Sequence, residues 1–119
     1  MLIVDDNESF LEAARLLLER EGLTVVGVAS TGADALGQLA RTPVDVVLVD
    51  VFLGKESGFE LARQLAAGPL DIGMTVILIS TYDKADFEDL LASTPAAGFL
   101  SKSELSASAI RRTIDGASP

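Results

Sequence analysis

The chain contains no histidine and no cysteine, so covalent or metal chemistry would have to rest on carboxylates, hydroxyls and lysines. That excludes a Ser–His or Cys–His nucleophile pair and any thiolate or imidazole metal site. The residues that remain follow a pattern. Asp5-Asp6 come after the apolar run 2–4, Asp50 closes the run 44–49, Ser80 closes 75–79, and Lys102 follows the run 97–100 after only Ser101. Three carboxylates gathered in one place would each oppose the others' ionisation unless a cation offset them. Mg²⁺ suits such a set, because it is a hard ion that takes oxygen ligands and is commonly held by one or two carboxylates together with a phosphate.

Whether these residues meet depends on the elements that carry them. Five apolar runs, at 2–4, 24–29, 44–49, 75–79 and 97–100, alternate with stretches of helical period, the pattern of βα units in a parallel sheet covered on both faces. In the first helix Phe10, Leu11, Ala14, Leu17 and Leu18 recur at steps of three and four, and Gly22 stands where the C-terminus should be. Thr31 with Asp34, and Ser57 with Glu60, have the capping-box spacing at the starts of helices two and three, and Gly68-Pro69 should stop the latter. Helix four is expected over 84–93 and helix five from 104 to about 115, capped by Ser103. The fold class is therefore α/β, a doubly wound five-stranded parallel sheet of order 2-1-3-4-5, with a ligand site beyond the carboxyl ends of strands one and three. Asp5, Asp6, Asp50, Ser80 and Lys102 all fall on that rim.

Composition bounds the rest. A chain of 119 residues suits one domain, 1–119. No apolar run is long enough to span a bilayer and no basic segment precedes an apolar one at the start, so the chain reads as soluble and without membrane partners. Eighteen acidic residues against nine basic give a net charge of −9, which would repel a phosphate backbone and argues against direct nucleic-acid binding. The missing cysteines fit a reducing cytoplasm. There is no G-x-x-x-x-G-K-[ST] or G-x-G-x-x-G fingerprint. The Asn7-Glu8-Ser9 match to a glycosylation acceptor is read as chance, since no secretory signal accompanies it.

Val4-Asp5-Asp6, Leu48-Val49-Asp50, Ile79-Ser80 and Leu100-Ser101-Lys102, supported by Gly58 and Gly98-Phe99, resemble in order and separation the receiver domains of bacterial two-component systems. The resemblance covers essentially the whole chain and implies a flavodoxin-like (βα)5 fold. It makes Asp50 the nucleophile that takes a phosphoryl group from the phosphohistidine of a sensor histidine kinase. Asp6, Asp50 and the backbone carbonyl of Phe52 would ligate Mg²⁺, with Asp5 supporting it through water or by contact with a ligand. Ser80 and Lys102 would contact the phosphoryl oxygens, and Ser80 and Phe99 would form the switch toward the face of helix four, strand five and helix five. Phe99 read as a permanent core residue is an equal alternative. Phe52 and Tyr82 occupy the two positions that flank the path of an attacking water.

The resemblance further implies a cytoplasmic, phosphorylation-driven signalling domain with at most slow self-dephosphorylation rather than an enzyme of turnover. Its partners would be a kinase, a C-terminal DNA-binding output in a longer regulator and, as an open alternative, a second copy. Gly98-Phe99-Leu100-Ser101-Lys102-Ser103 is similar to receivers fused to helix-turn-helix outputs. Two positions depart from the family: Ser103 stands where a proline is frequent, and Thr81 where a small residue is frequent. The runner-up function is a Mg²⁺-dependent phosphohydrolase using an aspartyl-phosphate, although such enzymes usually carry the nucleophile after strand one. A receiver-like docking module that is never phosphorylated would not need three clustered acids, and a flavin site would want hydroxyls where Asp5-Asp6 stand.

Overall fold

A computed structural model describes residues 1–68 and 73–117; Pro69, read above as part of a helix stop, lies outside them. Strands β1 (Leu2–Val4), β2 (Gly27–Ala29), β3 (Val46–Asp50), β4 (Thr75–Ser80) and β5 (Gly98–Ser101) form one parallel sheet in the order β2-β1-β3-β4-β5. Helices α1 (Glu8–Arg20), α2 (Gly32–Arg41), α3 (Gly58–Ala67), α4 (Glu88–Ala92) and α5 (Ala107–Ala117) connect and cover it. This is the expected doubly wound α/β fold. Among the described residues no helix is long and apolar enough to cross a membrane.

The continuous apolar runs are explained by two cores, one on each face of the sheet. Leu2, Val4, Val47, Val49 and Leu78 pack with Ala35, Leu39, Leu61 and Leu65 of α2 and α3. Ile3, Leu48, Ile77 and Ile79 pack with Leu11 and Leu18 of α1 and Ile110 of α5. Each such fully buried aliphatic side chain contributes about 1.5–3 kcal/mol, so the sheet interior anchors the rim on which the polar residues stand.

Local signals set most helix starts. Thr31 Oγ1 accepts from the Asp34 amide at 3.0 Å and Ser57 Oγ from the Glu60 amide at 3.4 Å, the Ser/Thr half of the capping box. Asn7 Oδ1 accepts from the Phe10 amide at 3.1 Å and so caps α1. Gly22, at φ +95°, closes that helix where a side chain would be strained.

Several boundaries differ from the sequence reading. β2 begins at Gly27 rather than 24, in register with Leu2 at the start of β1; before it, Thr24 and Val26 make single hydrogen bonds to Met1, the Met1 ammonium donating to the Thr24 carbonyl and the Val26 amide donating to the Met1 carbonyl. The span 84–93 is not one helix: Lys84–Phe87 is a 3₁₀ turn, and Phe87, at φ −126° and ψ 17°, breaks the geometry before α4 so that its ring can be buried. Helix five starts at Ala107, not 104. Lys102–Glu104 is a 3₁₀ turn and Leu105 is extended and buried, which moves the cap from Ser103 to Ser106, whose Oγ accepts from the Ala109 amide at 3.0 Å. Glu21 Oε1 accepts from the Ala107 amide at 2.7 Å, tying the end of α1 to the start of α5.

After β3 the chain forms an unexpected antiparallel ribbon, Phe52–Leu53 against Glu56–Ser57, turning through Gly54 at φ +61°. Glu56 Oε2 accepts from the Gly32 amide at the start of α2. The ribbon leads into Gly58, where a Cβ would lie 1.9 Å from the Asp50 carbonyl oxygen. No side chain fits there unless the loop behind Asp50 moves.

Candidate functional site

β1 and β3 are adjacent and in register, Val4 opposite Val49, so the residues that follow them, Asp5 and Asp50, emerge side by side. Asp5 is fully buried and Asp50 is buried with 6% of its surface exposed. Carboxylate oxygens of Asp5, Asp6 and Asp50 lie within 4.8 Å of one another; Asp6 is the exposed member. Lys102, just beyond β5, reaches back to them. Its Nζ is 3.2 Å from Asp50 Oδ2 and 2.5 Å from Asp5 Oδ2.

The backbone completes the arrangement. Asp50 Oδ1 accepts from the Phe52 amide at 3.3 Å, and Asp5 Oδ1 from the Asn7 amide at 2.9 Å. The other oxygen of Asp5, although paired in charge with Lys102, has no donor in hydrogen-bonding geometry. A buried carboxylate oxygen without a donor is costly, and beside two further carboxylates it is the environment a hard divalent cation stabilises. The residues present therefore fit such an ion.

Asp50 itself bears the strain of this grouping. Burial, followed by the charge of Asp5, pushes its carboxyl up to about 6, while Lys102 and the Phe52 amide work in the opposite direction. Burial is the leading cause.

Ser80 ends β4 one residue beyond the Asp50–Ile79 register pair and is 1% exposed. Its Oγ accepts from the Tyr82 amide at 3.0 Å, so the hydroxyl is engaged in its own turn. Phe52 and Tyr82 are both half exposed and meet edge to face, with centroids 5.7 Å apart. Both rings thus stand at the rim. Phe99 is partly buried against the core on the α3 side and lies 6.0 Å from the Phe87 ring.

Two residues of this neighbourhood were not singled out from the sequence for any role in it. Phe87 is the hub of an aromatic cluster, its ring 5.8 Å from Phe52, 6.3 Å from Tyr82 and 5.7 Å from Phe59. Phe10, read only as an apolar helix position, has its ring 4.3 Å from Lys102 Nζ. Nothing in spacing marks either one.

Comparison with known proteins gives one answer. The family model "Response regulator receiver domain" matches residues 1–115. A predicted transcriptional regulator of Pseudomonas aeruginosa is 36% identical over 104 residues, covering 87% of this chain and 49% of that protein. Among solved structures, the signal receiver domain of the response regulator NarL from Mycobacterium tuberculosis superposes with a TM-score of 0.78 at 30% identity, covering 98% of this chain and 93% of that one. A response regulator from Burkholderia pseudomallei, solved with a phosphorylated aspartic acid, a calcium ion and citrate, gives a TM-score of 0.79 at 25% identity, covering 94% and 64%. The chain spans about half the length of the curated relatives it matches. With its sheet order, its rim of three aspartates and one lysine, and a family match from residue 1 to residue 115, the chain belongs to the response regulator receiver domains.

Proposed function

We propose that the chain is a phosphoacceptor switch in which Asp50 receives a phosphoryl group from the phosphohistidine of a sensor histidine kinase. A carboxylate oxygen of Asp50 attacks phosphorus, the P–N bond breaks as the P–O bond forms, and the imidazole departs. The observation that carries this reading is the contact set of Asp50: two buried acids side by side, with the Lys102 ammonium within 3.2 Å of Asp50 and the relative from Burkholderia pseudomallei solved with its aspartate phosphorylated. Asp5, Asp6, Asp50 and the Phe52 carbonyl would hold Mg²⁺, which when bound offsets the negative charge of the acids and of the incoming phosphoryl group. Lys102 then pairs with a phosphoryl oxygen, and Ser80 exchanges its acceptance from the Tyr82 amide for donation to another. On this reading the chain is a switch with at most slow self-dephosphorylation rather than an enzyme of turnover. Intact mass after incubation with acetyl phosphate and Mg²⁺ tests the reading: one phosphoryl adduct supports it, and no adduct refutes it.

The consequence of phosphorylation travels through Ser80. If its hydroxyl turns to the phosphoryl group, the Thr81–Tyr82 turn loses its acceptor, and Phe87, edge to face with Tyr82, and Phe99, tilted against Phe87, repack toward α4, β5 and α5. Amide NMR shifts on beryllofluoride binding should therefore extend to that face. Shifts confined to the Asp50 rim would rule out transmission. The output is proposed to be transcriptional control by a DNA-binding segment of a longer regulator, in line with the name of the Pseudomonas aeruginosa relative and the resemblance around Gly98–Ser103.

Phosphoryl lifetime follows from the two half-exposed rings. Phe52 offers no carboxamide to orient a water, and Phe52 and Tyr82, edge to face at 5.7 Å, narrow the approach in line with the Asp50 oxygen. Slow acyl-phosphate decay is expected, accelerated roughly tenfold in Phe52→Asn or Tyr82→Ala. Unchanged or slower decay in both variants would show that the rings do not shield the site.

A further inference from the structure

Building on the reading of Asp50 as phosphoacceptor, we propose that Phe10 is a positioning residue for phosphoryl transfer, its ring face steadying the Lys102 ammonium against the carboxylates. The ammonium has three N–H donors and a side chain only 11% exposed. Two of its surroundings are Asp5 Oδ2 and Asp50 Oδ2, and a third is the Phe10 ring, 4.3 Å away at the centroid. That distance is well inside the range over which a ring's negative face attracts a cation, and the attraction strengthens where water is kept out.

The ring is itself held in place. Asp5 Oδ1 accepts from the Asn7 amide, Asn7 Oδ1 accepts from the Phe10 amide, the Phe10 ring lies under Lys102 Nζ, and Lys102 Nζ pairs with Asp5 Oδ2. The contacts close into a circuit that begins and ends on Asp5. Phe10 also packs against the core that includes Ile3, Leu11 and Leu105, so its ring cannot turn away freely.

A ring face differs from a third carboxylate in one respect that matters here. Its attraction requires the ammonium to sit over the ring but does not fix which way each N–H points. When phosphoryl oxygens arrive, the ammonium can pivot from Asp50 toward them without breaking a hydrogen bond on that side. Phe10 therefore acts through Lys102 and touches neither donor nor acceptor atoms.

The test uses the full chain with saturating Mg²⁺ and acetyl phosphate, comparing Phe10→Leu, which keeps the apolar bulk, with Phe10→Tyr, which keeps the ring. The first-order rate of adduct formation at saturating donor should fall about three- to tenfold in Phe10→Leu and stay near the parent in Phe10→Tyr. The donor concentration at half-saturation should not change, since the ammonium is positioned for the transition state. In parallel, the Lys102 Hε protons should show an upfield ring-current shift in the parent and in Phe10→Tyr that disappears in Phe10→Leu. Equal rates in all three chains, or a parent without that shift, would overturn the role of Phe10 while leaving Asp50 as phosphoacceptor. A parent that takes up no phosphoryl group would overturn both.

Discussion

Asp50→Asn is expected to leave the chain with no phosphoryl adduct at all and, in metal-free buffer near neutral pH, with a higher melting temperature than the parent. The first effect is the loss of the nucleophilic oxygen: a carboxamide does not attack phosphorus at a useful rate, and Asp5 and Asp6 lack the same place at the end of β3. The second effect follows from electrostatics. The folded chain holds the Asp50 carboxyl near 6, raised from 3.8 by burial and by Asp5. Between those two values the folded chain binds a proton that the unfolded chain has lost, so stability falls as pH rises through the window, and the full cost is present above about 6. The shift corresponds to about 3 kcal/mol at most. Asparagine stays buried and leaves Lys102 one partner fewer, so a net gain on the order of 1–2 kcal/mol is expected, a rise of roughly 4–8 °C. Thermal melts of both chains with chelator at pH 4.5 and pH 7.5 give the check. The gain should be present at pH 7.5 and should shrink at pH 4.5, and a gain independent of pH would contradict this account of Asp50. A persistent phosphoryl adduct in the variant would move the acceptor elsewhere.

Millimolar Mg²⁺ should have the next largest effect, raising the melting temperature of the parent and scarcely that of Asp6→Ala. Asp6 is the exposed acid of the three, so removing it leaves the buried packing of Asp5 and Asp50 intact while deleting a ligand. A ligand present at ten times its dissociation constant stabilises the folded state by about 1.4 kcal/mol, which is several degrees for a domain of this size. The buried Asp5 oxygen without a directed donor is the group that gains most from an ion beside it. Ca²⁺ and Mg²⁺ titrations followed by thermal shift supply the measurement. No rise in the parent, or an equal rise in Asp6→Ala, would count against a metal site at these acids.

Much of this could be read before any coordinates, for reasons that differ by element. Val46–Asp50 and Thr75–Ser80 form the middle of the sheet and are covered on both faces, so burial dictates their composition and the apolar runs give them away. The site was legible for the same reason, since a polar residue ending such a run lands on the carboxyl rim. The helix starts at Thr31 and Ser57 were readable because capping is a local interaction. The start of α5 was not, because the Ala107 amide is satisfied by Glu21, 86 residues away in sequence, and because Leu105 is pulled straight by the core. The broken fourth helix escaped for a similar reason: the preference of the Phe87 ring for four other aromatic rings overrides helical periodicity. Phe10 was seen as an apolar helix position, yet its partner Lys102 arrives from the far end of the chain.

The shortness of α4 has a bearing on how stability is distributed over the molecule. Five residues form barely more than one turn, far below the length at which a helix holds itself in water, and none of the α4 side chains is fully buried. Its attachment rests on Phe87 just before it and on the partly buried Leu91. The interior strands, by contrast, open only when the whole domain unfolds. Melting α4 alone gives up few apolar contacts and few hydrogen bonds, so the free energy that separates its closed and open forms is a small fraction of the global value. A partner that binds this segment in a different conformation, or in none, would work against that fraction and leave the remaining tertiary structure standing.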